Sequence, residues 1–351
     1  MVRRGLLTGF FLLLALSLAA PPAAAQTPKR GGVLRMAERE APNLDPHLSV
    51  SFLTHSYVSM AYSQLVRFAY GPEQKHASDF TIVPDLAERW EYKNPTSLVF
   101  YLRKGVKFHN KPPVNGREVT ADDVKYSLER FMAKSAFRGR LEPVQSIDVV
   151  DKYTVRLTLK EPFAPLLNHL ANPVYTAILP REVEAKFKDF NHPDAVIGTG
   201  PFVFKSYDKG VRVVWDRNPD YFVKGLPHLD GVVLEITPDA SARVSLLRAG
   251  RVEMMQIFGW SSVEEAKSLQ KTNPELVLIP QQVISQGIIY FRTDQPPFND
   301  VRVRRAVSLA IDRKGWNEAL LYSEGCTDAG PVPCAMKEWK LEATSMDPAR
   351  A

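Results

Sequence analysis

The sequence predicts an α/β fold built on mixed sheets, and three observations carry that reading. DKYTVRLTLK (151–160) alternates without a break. Tyr153, Val155, Leu157 and Leu159 point one way, and Thr154, Arg156, Thr158 and Lys160 the other, which is the period of a half-buried strand with one wet face. Strand-like and helix-like segments are interspersed along the chain, with no regular repeat and no low-complexity tract. Alternating strands and fully apolar strands both occur, which points to mixed sheets.

In chain order, 31–36 (GGVLRM) reads as the first strand and 41–48 (APNLDPHL) as a turn rich in Pro and Asn. Tyr57, Met60, Ala61, Gln64 and Leu65 stand at helical spacing and predict a helix over 56–68. Residues 98–102 form a strand that Lys104 and Gly105 end and 106–108 resume. Thr120-Ala121-Asp122-Asp123 opens a helix. Thr120 caps it, Asp123 holds the capping-box position, and both aspartates suit the positive end of the helix dipole. Val124, Leu128, Phe131 and Met132 are its buried stripe. Residues 202–204 and 211–216 read as strands, 218–222 (NPDYF) as a turn, and 231–236 as a strand. Pro238 and Asp239 begin a helix over 240–249, with Gly250 where a C′ glycine belongs. A strand follows over 252–257. Asn299 and Asp300 start a helix with Val303, Ala306, Val307, Ala310 and Ile311 on one face.

The 351 residues are 45% hydrophobic and 24% charged, ordinary for a soluble protein and long enough for about two domains. The N-terminus has a positive n-region (Arg3, Arg4), an apolar run of about 16 residues that is shorter than the roughly 20 a span needs, and a small-residue site at 23–25. It predicts a signal peptide over 1–25 and export to the periplasm or another extracytoplasmic space, by a general or a twin-arginine route. The formal charge of +6 is scattered rather than gathered on one segment, which argues against a nucleic-acid partner. Cys326 and Cys334 flank a loop containing Gly330, Pro331 and Pro333 and are a candidate disulfide in an oxidising compartment. Spacing alone leaves bridge and free thiols both open.

IGTGPFVF (197–204) superficially suggests a phosphate loop. Pro201 lacks the N–H a phosphate would need, the following residues are strand-like, and Val203 breaks the dinucleotide pattern. Gly198 and Gly200 are therefore read as backbone residues, through unusual angles or close packing. No zinc motif and no G-x-S-x-G elbow occurs. His47 and His55 could lie together around a solute or be bonded to backbone. No cofactor is indicated. The aromatic residues that exceed core needs could line a cleft for a small solute.

Four stretches in order then carry a resemblance: 31–48 (GGVLRMAEREAPNLDPHL), 97–130 with its L-R-x-G-V-K-F-H … T-A-x-D-V pattern, 197–222 (IGTGPFVFKSYDKGVRVVWDRNPDYF) and 296–313 (PPFNDVRVRRAVSLAIDR). Together they resemble the periplasmic solute-binding proteins of ABC importers, in the family of oligopeptide-, dipeptide- and nickel-binding proteins (solute-binding family 5). Phe222 stands where Trp is commoner, and Arg292 where many members have Asn.

The resemblance implies a non-enzymatic, two-lobed periplasmic-binding-protein fold of type II (cluster C) that closes on a solute by hinge motion. It implies a peptide or other small solute, and delivery to an inner-membrane permease with its ATPase by a monomeric binding protein. It also implies a first lobe from 26–55 and 195–285, a family subdomain over 56–194, and a second lobe beginning at 286. Members usually run longer and TSMDPARA (344–351) looks like the start of a longer helix, so the second lobe is expected to be incomplete. The implied ligand contacts are Val50, Ser51 and Phe52 on an edge that pairs with extended peptides, Phe137 near an aromatic cleft position, and Ser285, Gln286 and Gly287 at the lobe crossing. The alternatives kept open are a secreted hydrolase with a dispersed catalytic site and a non-transporting remnant.

Overall fold

The computed structural model describes residues 28–75, 79–256, 262–279 and 289–321. The predicted signal segment, Ser285, Gln286, Gly287, Cys326 and Cys334 lie outside the described residues.

The chain runs β1 (Val33–Glu38), α1 (Phe52–Val58), β2 (Val66–Phe68), β3 (Ile82–Pro84), β4 (Ala87–Asn94), β5 (Ser97–Leu102) and α2 (Ala121–Lys134). It continues through β6 (Val144–Asp151), β7 (Thr154–Leu159), α3 (Leu166–Ala171), α4 (Arg181–Phe187), β8 (Phe202–Asp208), β9 (Arg212–Arg217) and β10 (Gly231–Ile236). Last come α5 (Ala240–Arg248), β11 (Met254–Met255), α6 (Ser262–Thr272), α7 (Val301–Ala310) and α8 (Arg313–Leu321).

Two sheets organise these elements. The first has the order β11-β1-β10-β9-β8. In it β1 is parallel to both β10 and β11, while β10, β9 and β8 are antiparallel neighbours, so the sheet is mixed as the sequence implied. The second, β4-β5-β7-β6, is antiparallel throughout. Val155, Leu157 and Leu159 of β7 are buried and Arg156 is exposed, as the alternation required, but Thr154, expected on the wet face, is buried at the start of the strand. A two-stranded pair, β2 with β3, stands apart. One contiguous apolar core reaches both larger sheets, from Leu98, Phe100 and Leu157 to Phe204, Trp215 and Leu234. The Phe204 and Trp215 rings meet edge-on at 4.7 Å, a favoured aromatic geometry.

Helix starts obey local chemistry. Asp123 reaches back to the Thr120 N–H at 2.9 Å in a capping box at the head of α2. Val124, Leu128 and Phe131 are buried beneath that helix, and Met132 is half-buried. Asp239 caps α5 through the Ala242 N–H at 2.8 Å, and Gly250 closes it with φ +62°, a left-handed angle that suits glycine.

The helix expected over 56–68 is corrected. The helix is α1, which ends at Val58, and 66–68 is strand β2. The apolar spacing was real, since Tyr57, Ala61 and Leu65 are all buried. However, the carbonyls that would continue the helix serve distant segments. Met60 O accepts from Phe202, Ala61 O from Gly200, Ser63 O from Ile178 and Gln64 O from Leu86. The strand expected over 252–257 is two residues long, β11, within the described residues. The face expected on α7 carries no buried residue.

The glycines of IGTGPFVF answer to close packing. Neither Gly198 nor Gly200 has positive φ. A Cβ on Gly198 would overlap the Ala61 carbonyl oxygen, and one on Gly200 would stand 2.5 Å from Met60 O and 2.6 Å from Ala61 C. His109 completes the junction: its N–H donates to Gly198 O (2.7 Å), its Nε2–H donates to Gly200 O (3.1 Å), and Nδ1 accepts the Gly198 N–H (3.4 Å). These bonds require a neutral ring, and burial lowers the His109 pKa to about 4.

Candidate functional site

In an open sheet, ligands gather beyond the carboxyl ends of parallel strands. Here β1 and β11 end side by side, with Ala37 paired to Met255. Just past those ends is a cleft of about 200 Å³ lined by Glu38, Arg39, Ser51, Phe52, Leu53, Ser56 and Gln256. Glu38 is the last residue of β1 and Arg39 follows it, Gln256 follows β11, Ser51 is the N-cap of α1, and Phe52, Leu53 and Ser56 lie on that helix.

The segment before α1 is anchored from beneath. Asp45 Oδ1 accepts the N–H of His47 (2.9 Å) and of Leu48 (3.2 Å), so the chain turns tightly over it. Arg130 of α2 grips the same carboxylate with two nitrogens, at 2.6 and 3.2 Å. Arg130 also donates to Glu184 of α4 at 3.0 Å, and Tyr126 and Lys134 bind that glutamate too. Arg130 and Asp45 side chains are 2% and 3% exposed. A pair this buried is tolerable only because its geometry is bidentate and its remaining hydrogen-bonding capacity is largely met.

His47 and His55 do not open on a solute. His47 Nε2–H donates to Ala177 O (2.8 Å) and His55 Nε2–H to Ser49 O (3.1 Å), and both rings are buried. Burial first, then the nearby Arg130 charge, lowers the His47 pKa to about 4. Burial also lowers that of His55. Neutral rings therefore act as struts that hold residues 47–49 in place.

Above these anchors the chain is open. Val50 is 64% exposed and Phe52 65%. Neither the N–H nor the C=O of Val50 meets a backbone partner among the described residues. An exposed extended backbone next to an aromatic side chain can add a strand of another chain by main-chain hydrogen bonds.

Of the residues expected to touch solute, Ser51 and Phe52 line the cleft, and Val50, which precedes them in the chain, is not in its lining. Phe137 is not in the cleft lining. It is half-buried and packs on Tyr175, ring centroids 5.2 Å apart. Sequence reasoning missed Glu38, Arg39 and Gln256. Two strand-like stretches, 31–36 and 252–257, were recognised, and pairing them in parallel would have placed the residues after each at one edge.

The family model described as "Bacterial extracellular solute-binding proteins, family 5 Middle" matches residues 81–351. Di/tripeptide-binding protein 2 of Pseudomonas aeruginosa is 31% identical over 346 residues, covering 92% of this chain and 62% of that protein. Heme-binding protein A of Haemophilus influenzae is 31% identical over 292 residues, covering 78% of this chain and 51% of that protein. Among solved structures, the periplasmic binding protein DppA from Helicobacter pylori, in complex with the peptide STSA, superposes with a TM-score of 0.75 at 27% identity. That match covers 92% of this chain and 65% of that one. The chain thus spans less than two thirds of the length of each of these relatives. The fold, the ordered motifs and the extent of the family match agree: the protein belongs to the bacterial extracellular solute-binding proteins of family 5, a family of binding proteins rather than enzymes.

Proposed function

We propose that this chain acts in the solute-binding component of an ABC importer, captures short peptides outside the cytoplasm, and hands them to a membrane permease driven by an ATPase. The observation that carries this reading is the backbone of Val50, which meets no backbone partner among the described residues, next in the chain to Ser51 and the exposed Phe52 of the cleft lining. Backbone pairing holds a peptide without reading its side chains, so it suits a carrier of many sequences. The relative named for di- and tripeptides and the peptide complex of the DppA structure support the same solute class. In this reading 26–55 and 195–285 form the first lobe, 56–194 a subdomain, and 286 onward the beginning of the second. Hinge closure between lobes traps the solute.

The test is calorimetric titration of the purified chain with tri-alanine, haemin and nickel–histidine. Tri-alanine is expected to bind, and Val50→Pro, which deletes the open N–H, to weaken it about tenfold, the order expected for one strong hydrogen bond. Binding of haemin with no response to any peptide would overturn the peptide reading.

A further inference from the structure

The segment that leads to Ser51 and Phe52 departs from the first sheet but is not held by it. Glu40 is still tied to that sheet: its carboxylate accepts from the Tyr207 O–H of β8 and from the Gly210 N–H at 3.0 Å. From Asn43 to Ser51 the partners change. The hydrogen bonds of these residues either stay local, reaching no farther than α1, or go to Arg130, Ala177 and Asn191. None goes to a strand of the first sheet.

The three outside anchors follow one another along the chain. Leu44 N–H donates to Asn191 Oδ1 at 2.9 Å. Arg130 of α2 takes the Asp45 carboxylate with both terminal nitrogens. His47 Nε2–H donates to Ala177 O, and its ring stands edge-on to Phe131 of α2, centroids 5.7 Å apart. Arg130 is itself fixed from two further sides, by Glu184 of α4 at 3.0 Å and by the Phe190 ring, 4.8 Å from the guanidinium carbon. A planar fork held in this way sets the rotation as well as the position of the carboxylate, which a lysine could not do. Asp45 Oδ1 in turn accepts the N–H of His47 and of Leu48, and Asp45 O accepts that of Ser49. The backbone that runs into Val50 therefore takes its course from where Arg130 puts one side chain. Beyond it the restraints thin out: the Ser51 N–H reaches only Ser49 Oγ, at 3.1 Å, and Val50 is open.

We propose that Arg130 is a positioning residue for solute binding: through Asp45 it presets the backbone of 47–51, so that the 56–194 segment, and not the sheet from which the strand departs, shapes the edge offered to solute. This rests on residues 50–52 belonging to the solute site. An edge that is already ordered spares the complex the cost of ordering it.

The experiment compares three variants of the full chain. Arg130→Lys keeps the charge and loses the fork. Asn191→Ala removes the exposed side chain that anchors Leu44. Arg117→Lys is the control. Arg117 also grips a buried aspartate of α2 with two nitrogens, Asp123 at 2.6 and 2.8 Å, but bonds to no residue of 43–52. Each chain is titrated with tri-alanine, and backbone amide exchange of the ligand-free chains is followed by mass spectrometry. Arg130→Lys is expected to weaken tri-alanine about tenfold, the affinity removed when roughly one residue of the edge regains its backbone freedom. It is also expected to speed exchange across 47–51 about tenfold while β5 and β7 exchange as before. Asn191→Ala is expected to move both readings the same way by a smaller factor, and it stands in for Arg130→Lys should that variant not fold. Arg117→Lys is expected to move neither.

Equal weakening by Arg130→Lys and Arg117→Lys, faster exchange spread over the whole chain, or a change in one reading without the other overturns the proposal. If tri-alanine does not bind the unmodified chain, the peptide reading fails separately and exchange alone decides. Acceleration confined to 47–51 in Arg130→Lys then upholds the positioning role, and its absence overturns it.

Discussion

Replacing Gly198 by alanine should destabilise the protein severely, although it adds a single methyl group. The new Cβ would overlap the Ala61 carbonyl oxygen and lie 2.6 Å from Tyr62 Cδ1. A backbone carbonyl cannot swing aside as a side chain does. Moving it surrenders the Gly200 N–H to Ala61 O bond (2.8 Å) and strains the His109 N–H to Gly198 O bond (2.7 Å). Two buried backbone hydrogen bonds are worth about 1 kcal/mol each, and overpacking adds about 1–3 kcal/mol. The expected loss is therefore about 3–5 kcal/mol, a large part of the roughly 5–15 kcal/mol that holds a domain together. Urea unfolding followed by far-UV circular dichroism measures it. Gly139→Ala is the control, because a Cβ there meets nothing within 4 Å and the residue has no positive φ, so it should change stability by less than about 0.5 kcal/mol. A Gly198→Ala midpoint equal to that of Gly139→Ala would refute the packing argument.

Acid should weaken the fold through its buried histidines. Burial holds His47 and His109 at about 4 instead of 6.5, so the unfolded chain takes up protons first. The stability from neutral rings is complete above pH 6.5 and is lost as pH falls towards 4, by about 2 kcal/mol per ring between pH 7 and 5. Asp85, pushed up to about 6 by burial, opposes this by about 1 kcal/mol, since its protonated form is favoured in the fold. Urea midpoints at the two pH values should show a net loss of about 3 kcal/mol, and a midpoint that rises at pH 5 would contradict the assignment. Arg130→Met should cost about 3–5 kcal/mol by stranding Asp45, and adding Asp45→Asn should restore part of it. Additive losses in that double-mutant cycle would show that the two groups are not coupled.

Elements whose signal is local were legible before the structure. The capping residues at 120–123, the alternation of β7, and Gly250 after α5 each act within a few residues of themselves. The second sheet's two edge strands were not read at all. β4 is AERWEYKN, mostly exposed and charged, and β6 is broken by register shifts after Val144 and Val149. Their strand character comes from neighbours that supply hydrogen bonds, which a single-segment pattern does not record. Residues 59–65 failed for a related reason: the apolar spacing was there, but tertiary partners claimed the carbonyls. In the cleft, the stretch after LDPH led to Ser51 and Phe52. Glu38 and Gln256 sit far apart in sequence and line one cleft only because β1 and β11 are adjacent.

The clasp formed by Ala61, His109 and Gly200 also bears on how this architecture tolerates change. The chain departs after β1 and α1, makes a long excursion through the second sheet, and re-enters at β8 with both ends of the excursion bonded to each other. Closure entropy grows only with the logarithm of loop length, roughly 0.6 kcal/mol per doubling. Once the ends are clasped, insertions and deletions at the outer turns of the excursion barely reach the sheet that bears the cleft. The shared core sets the opposite limit: wholesale removal of the excursion would strip Phe204 and Trp215 of their cover. Natural variation in this fold should thus accumulate as changes of length within the excursion, with its two anchoring ends left intact.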